Sequence, residues 1–406
     1  MNGDTGTSRL ARGALYVGAL LGPFGGGIVT AILPELGASF QVSASAAATS
    51  LTAYLVPLAG LMLVSGTLGE RWGPGRTIRL AYVVYALAAA AAALAPWFWL
   101  FQLSRGLQGA ANAFTLPLLM AKLAASTQPQ QLGRALGLFG SMQALGQTSA
   151  PLVGGLAAEV SWRWGFAGIA ATAVVLATLT LPPDPPLDRS RPPRLRDAWT
   201  RSIVLPGLLA LVGWACLSGI SFLVAFRLED TFELTSAVRG LVLTGFGVAG
   251  FLTARLVGSA ADRFGVRVAG FTGLVAGAAL VSAAGLVGTV PAVAASWALA
   301  GVAAQLVIVA VNVSVVSGRS RGRGGAISAV QALRFLGMAA APALFTAPYR
   351  FDPVLGFVVP AALLALVAPA ALALRRPNGG RRDAGAGHSN RRKGTAPPAR
   401  LRHSRG

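Results

Sequence analysis

The sequence predicts an all-α integral membrane protein: twelve transmembrane helices in two six-helix pseudo-repeats. Three observations predict it. The 406 residues are 54% hydrophobic and only 12% charged, with a mean hydropathy of +0.64, whereas a soluble domain carries about 25% charged residues. Twelve apolar stretches approach or exceed the roughly 20 residues needed to cross a hydrocarbon core. The first half of the chain also matches the second at a nearly constant offset.

The spans are predicted at 13–35, 46–67, 79–96, 98–122, 134–157, 164–182, 203–226, 240–260, 268–287, 292–316, 325–346 and 354–374. An even number places both termini on one face. The N-terminus, alternate loops and the tail hold 27 Lys and Arg residues, and the opposite loops hold only Arg163, Arg227, Arg239 and Arg350. That asymmetry predicts cytoplasmic termini. The first apolar span is too long for a cleavable signal and runs into a polytopic pattern.

The spans divide into a six-helix bundle at 1–182 and a second at 203–374. A proline-rich charged linker, 183–202, joins them, and a basic tail, 375–406, reads as disordered. Adding 192 to Phe40, Ser43, Gly66, Glu70, Gly73 and Gly109 lands on Phe232, Thr235, Gly258, Asp262, Gly265 and Gly301. Gly146, Ala150 and Pro151 recur as Gly337, Ala341 and Pro342 at an offset of 191. Two bundles related in this way can rock about a central site.

Composition also excludes function classes. The net charge of +21 sits in loops and tail rather than on one helical face, so nucleic acid is not the expected partner. Cys216 is the only cysteine and lies in an apolar span, while His388 and His403 both lie in the tail. No metal, cofactor or nucleophile–base pair is expected, and the chain does not read as an enzyme. The expected partners are membrane lipid and a small-molecule substrate, with the chain a monomer.

Four stretches carry candidate chemistry. Gly66-Thr67-Leu68-Gly69-Glu70-Arg71-Trp72-Gly73-Pro74-Gly75-Arg76 follows the second span, and its copy runs from Gly258 through Asp262 and Arg263 to Gly265. Glycine permits the tight turn, and the acid can cap a helix or pair with a base as a latch. Positive-inside charge explains the arginines but not two acids in register. Arg105, Gln108 and Gly109 lie in the fourth span, with Arg105 roughly 10 Å deep at about 1.5 Å per residue. A cation there is a functional candidate by default. The fifth span carries Gly137, Gly146, Ala150, Pro151, Gly154 and Gly155. In a bilayer such small residues let two helix backbones approach closely.

Together these motifs resemble the major facilitator superfamily, and the fifth-span series resembles its drug:proton antiporter signature, with Ala150-Pro151 where Gly-Pro is usual. The loop motif differs in carrying Glu70 for the usual Asp. The resemblance implies proton antiport by alternating access, with Arg105 tied to proton coupling and protons as a further partner. It implies export of drugs, antibiotics or secondary metabolites across the inner (plasma) membrane of a prokaryote-like cell. An uptake symporter or facilitator of the same fold, and a non-transporting scaffold, are the alternatives.

None of the 13 acidic residues falls in the middle of a span. Glu35, at the outer end of the first helix, is the nearest candidate for a proton site. The absence of a mid-membrane carboxylate directs the expected substrate towards neutral or anionic amphipathic molecules. Tyr54, Asn112, Gln143, Trp214, Gln331 and Arg334 are the candidate cavity groups, being polar or aromatic within apolar spans.

Overall fold

The computed structural model describes residues 4–183, 201–316 and 323–374. The basic tail and nearly all of the predicted linker lie outside the described residues, as does the Glu70 side chain. The described chain is helical throughout. The first half contains α1 (Asp4–Gly27), α2 (Leu33–Phe40), α3 (Ala44–Trp72), α4 (Pro74–Leu94), α5 (Phe98–Ala125), α6 (Leu132–Ala158) and α7 (Arg163–Thr178). The second contains α8 (Arg201–Cys216), α9 (Ser221–Asp230), α10 (Ser236–Phe264), α11 (Val266–Leu286), α12 (Val290–Val316), α13 (Arg323–Phe351) and α14 (Leu355–Ala371).

Among the described residues fourteen α-helices make twelve crossings, because the first crossing of each half is broken. The single helix expected over 13–35 is α1, a 3-10 turn over Ile28–Ala31, and α2. The one expected over 203–226 is α8, a turn, and α9. The breaks follow Gly27 and surround Gly219, which are repeat partners. A side chain at Gly27 would meet the Ala150 Cβ at 3.1 Å, and one at Gly219 the Ala341 Cβ at 2.8 Å. Hydropathy saw one apolar run in each case, because a break that stays apolar leaves no trace in a window average.

The repeat is reproduced in backbone geometry. Gln41 and Glu233, 192 residues apart, are the two non-glycine residues in the left-handed region among those described, at φ 55° and 50°. Gly73 and Gly265 both sit at φ 89°, a conformation that L side chains resist, and turn α3 into α4 and α10 into α11. A Cβ on Gly109 would lie 1.9 Å from the Tyr54 carbonyl oxygen, and one on Gly301 1.9 Å from that of Phe246. Gly146 meets Leu20 and Gly337 meets Leu211 in the same way, at 2.2 and 2.0 Å.

Eight crossings are long and apolar enough to span a membrane by length and composition, and α7 and α14 are shorter apolar helices. The remaining two are α5 and α6, and α5 buries Ser104, Arg105, Gln108, Asn112, Thr115 and Lys122. Lipid-type surface is visible in Leu94, Leu252 and Leu366, which are more than two-thirds exposed. A soluble protein would hide such residues.

The halves meet along two seams, α6 against α10 and α3 against α13. Towards the face opposite the termini, the first seam is in backbone contact. A Cβ on Gly155 would lie 2.2 Å from the Ser236 oxygen, one on Gly240 2.3 Å from the Pro151 oxygen, and one on Gly247 2.1 Å from Thr148 Oγ1. Towards the terminus-bearing face, a Cβ on Gly137, Gly140 or Gly258 would meet nothing within 4 Å among the described residues. The halves are closed on one face and splayed on the other.

Candidate functional site: two embedded arginines and an inter-half clamp

Arg105 is completely buried on α5, yet no carboxylate pairs with it among the described residues. Its Nη1 donates to the Gly25 carbonyl at 2.8 Å and to Gln108 Oε1 at 2.6 Å, and Nη2 donates to the Gly26 carbonyl at 3.3 Å. Those carbonyls belong to the last turn of α1, where helix carbonyls lose their intrahelical partners and carry partial negative charge. The break after Gly27 therefore frees acceptors for Arg105. The Tyr54 ring lies 4.5 Å from the guanidinium carbon and adds cation–π stabilisation.

Around it a polar network fills the first half. The Tyr54 hydroxyl donates to the Gly22 carbonyl at 2.8 Å and accepts from Asn112 Nδ2 at 2.9 Å. Thr115 Oγ1 donates to Asn112 Oδ1 at 3.0 Å. Glycines of α1 make the room: a Cβ on Gly22 would lie 2.0 Å from Asn112 Oδ1, and one on Gly26 2.9 Å from Tyr54 Cε1. Gly109 brings α5 against α3 and so sets Tyr54 beside Arg105. Tyr54 and Asn112 are thus hydrogen-bonded within this internal network.

In the second half the repeat position of Arg105 is Trp297, whose indole packs on Phe246 with centroids 4.7 Å apart. The stacking is kept and the charge is not. The embedded charge of this half is Arg334 on α13, 4.2 Å from the Trp214 ring centroid and donating to Gln331 Oε1 at 3.3 Å. Gln143, the repeat counterpart of Arg334, is half-buried on α6.

Glu35 does not join Arg105. It lies on α2, beyond the 3-10 turn, and forms an ion pair across the halves with Arg239 of α10. Arg239, 2% exposed, also donates to Glu229 Oε2 at 2.8 Å and to the Ala31 carbonyl at 3.3 Å. The turn Ile28–Ala31 is therefore held from one side by Arg105 and from the other by Arg239.

A second tie lies nearby. Glu159, at the end of α6, accepts from the Ala237 backbone N–H at 3.0 Å and from Ser236 Oγ at 3.2 Å, capping α10. The Ala237 amide, Thr235 and Ser236 lower its pKa. Thr52 Oγ1 donates to the Ala339 carbonyl at 2.7 Å, and Arg350 reaches Ser45. These inter-half bonds all lie between mid-membrane and the closed face.

The signature glycines separate into two groups. Gly146 and Gly154 abut the α1 segment, Gly154 with its Cβ position 2.3 Å from the Ile28 oxygen, and Gly155 abuts α10. Ala150 is fully buried, and the Pro151 oxygen touches the Gly240 position. A Cβ on Gly137 would meet nothing within 4 Å among the described residues. In the loop motifs Arg71, Arg76, Asp262 and Arg263 are exposed, and Asp262 has no hydrogen bond or ion pair among the described residues.

Sequence reasoning gave no site role to Arg239, Glu159 or the α1 glycine Gly22, and read Gly25-Gly26-Gly27 only as a flexible or closely packed point. The available signal was charge on the wrong side. All four basic residues of the sparsely charged face hold backbone or side-chain partners: Arg163 binds the Ala93 and Ala95 carbonyls, Arg227 that of Val287, Arg239 Glu35, and Arg350 Ser45.

Two repeat-related helical bundles, lipid-exposed and joined along seams that close on one face, define a multi-pass membrane transporter rather than an enzyme. The chain belongs to the Major Facilitator Superfamily, whose family model matches residues 15–254. Among curated relatives it is 26% identical over 251 residues to the uncharacterized MFS-type transporter YybF of Bacillus subtilis, 58% of this chain and 61% of that one. It is 28% identical over 217 residues to a multidrug resistance protein B homolog of Mycobacterium tuberculosis, 52% of this chain and 38% of that one. The matches thus span less than two thirds of either relative.

Solved structures share the fold at lower identity. A D-xylose-proton symporter superposes with a TM-score of 0.74 at 16% identity, covering 90% of this chain and 97% of that one. The human organic anion transporter MFSD10 superposes with a TM-score of 0.67 at 18% identity, covering 89% and 99%. These likenesses establish the fold alone.

Proposed function

We propose that this protein exports small amphipathic molecules across the plasma membrane in exchange for protons, by alternating access. The 1–182 and 203–374 bundles are the moving units, and the terminus-bearing face is cytoplasmic, as the distribution of basic residues supports. The chain works as a monomer within the lipid, and the conformation described is the one open to the cytoplasm.

One observation carries the reading: the fifth-helix glycine series makes backbone contact with α1 through Gly146 and Gly154 and with the opposite half through Gly155. It forms the seal that an exporter needs against back-flow. Coupling runs through the turn Ile28–Ala31. Arg105, with Gln108 and Gly109 setting its place, holds the near side; Glu35 is the proton acceptor on the far side. A proton arriving from outside neutralises Glu35, frees Arg239 and opens the outer face. Arg105 stays charged, because arginine does not deprotonate in proteins, and acts by holding the α1 end. The Glu70 and Asp262 loops fasten the cytoplasmic face once the outer one opens, with Gly66, Gly73, Gly258 and Gly265 shaping them and Arg71, Arg76 and Arg263 as their basic partners.

The test is accumulation of labelled antibiotics and dyes in an efflux-deficient bacterium expressing the chain, with and without a protonophore, beside Arg105→Ala. Lowered accumulation abolished by both treatments is expected. Raised accumulation would mean uptake, the mode of a symporter on this fold, and insensitivity to the protonophore would remove the proton from the reading.

A further inference from the structure

The two embedded arginines are treated differently by their surroundings. Arg105 is satisfied by a helix end, an amide and an aromatic face. Arg334 is not. It is the twelfth of the 29 residues of α13, near mid-membrane. Among the described residues it makes one side-chain hydrogen bond, the 3.3 Å contact to Gln331, and its buried Nε has no partner. Neither ion pair of the described residues involves it, and no acidic residue lies in the middle of any span. A bare cation in such a place costs several kcal/mol unless it is neutralised or hydrated.

Its position makes it available to a ligand. The Thr52–Ala339 bond, one and a half turns of α13 nearer the closed face, lies beyond it, so Arg334 sits on the open side of that seal. Trp214 covers one face of the guanidinium and Phe335 lies 5.7 Å away. A planar fork lying on a ring presents its edge, and that edge matches the two oxygens of a carboxylate or sulfonate. The fold itself does not require the charge, since the repeat-related position holds neutral Gln143.

We propose that Arg334, with Gln331 beside it and Trp214 beneath it, binds the anionic head of an amphipathic substrate whose apolar, aromatic body packs along the seam. This rests on the transport reading and narrows its substrate class to organic anions. It also gives the loaded carrier a reason to move. Closing the halves over a bare guanidinium is opposed by desolvation, whereas closing over a guanidinium–carboxylate pair removes a neutral unit from water.

The test uses the purified full chain in lipid nanodiscs and three tritiated probes of one shape: 1-naphthaleneacetate, its amide, and 2-(1-naphthyl)ethylammonium. Wild type is expected to bind the acetate roughly tenfold to a hundredfold more tightly than the amide, the range of a charge-assisted pair. Arg334→Gln should erase that preference while leaving the amide affinity unchanged and without lowering the thermal midpoint. Arg334→Lys, which keeps charge without the fork, should retain part of it and guards against a folding artefact in the first variant. No preference in wild type, a preference for the ammonium, binding of none of the three, or a preference surviving Arg334→Gln would each overturn the proposal. Proton-driven efflux of the same probes from proteoliposomes separates the two readings. Movement of the ammonium but not the acetate sinks the anion site and leaves export standing; tight acetate binding with no movement of any probe sinks export and leaves the site.

Discussion

Arg239 of α10 reaches out of its own half to the Glu35 carboxylate on α2, and the same guanidinium donates to the Ala31 carbonyl in the turn before it. One side chain thus fastens the second half to the broken first crossing. Arg239 keeps Glu229 as a second acceptor when Glu35 is lost, so Glu35→Gln should loosen the closed face without unfolding the chain. A charge-assisted hydrogen bond contributes about 1.5–3 kcal/mol. Labelling of a cysteine placed at Ala339, in a Cys216→Ser background, by an impermeant thiol reagent from the outer face should therefore rise roughly tenfold or more. An unchanged rate would show that the pair does not hold this face.

Glu159 ties the same seam with a sign that pH can reveal. Its pKa is lowered from 4.5, first by the Ala237 amide it accepts from. A lowered carboxyl pKa contributes stability that is fully present above the ordinary value and is lost as pH falls through the lowered one. Glu159→Gln should therefore reduce the thermal midpoint at neutral pH, and the difference from wild type should shrink as the medium is acidified below pH 4.5. Melting both proteins across that range checks it.

Within the fifth-helix series the glycines should not be equivalent. Adding a methyl at Gly146 or Gly155 drives a Cβ to 2.2 Å from a backbone oxygen, and overpacking of this kind costs about 1–3 kcal/mol. Gly146→Ala and Gly155→Ala should lower transport and stability, and Gly137→Ala should leave both unchanged. Transport by all three variants at matched expression decides this; a loss at Gly137 equal to that at Gly155 would disconnect the motif from close packing.

The Arg105 network makes a prediction about chemistry rather than charge. Lysine carries the charge but cannot reach the Gly25 and Gly26 carbonyls and Gln108 together. Arg105→Lys should lose most transport, as is expected of Arg105→Ala. Tyr54→Phe keeps the ring under the cation but drops the bonds to Gly22 and from Asn112, and should cost about 1–2 kcal/mol of stability with partial transport. Full activity of Arg105→Lys would mean that charge alone suffices.

The number of crossings, the pairing of Gly109 with Gly301 and of Gly146 with Gly337, and the turns at Gly73 and Gly265 were legible in the chain. Each depends on local hydropathy, on the absence of a Cβ, or on a repeat that copies both. That Arg105 and Arg334 are embedded was legible too, since a charge within an apolar run marks itself. The partners were not. Which carbonyls receive Arg105 depends on a break in α1 that hydropathy passes over. Whether Gly137 or Gly155 is in contact depends on how far the two halves have tilted. The Arg239–Glu35 pair joins residues more than half the chain apart, and only the placement of one bundle against the other brings them together. A sequence carries the periodicity of each helix; the angle between two rigid bundles is set by surfaces that come together only when the whole chain has folded.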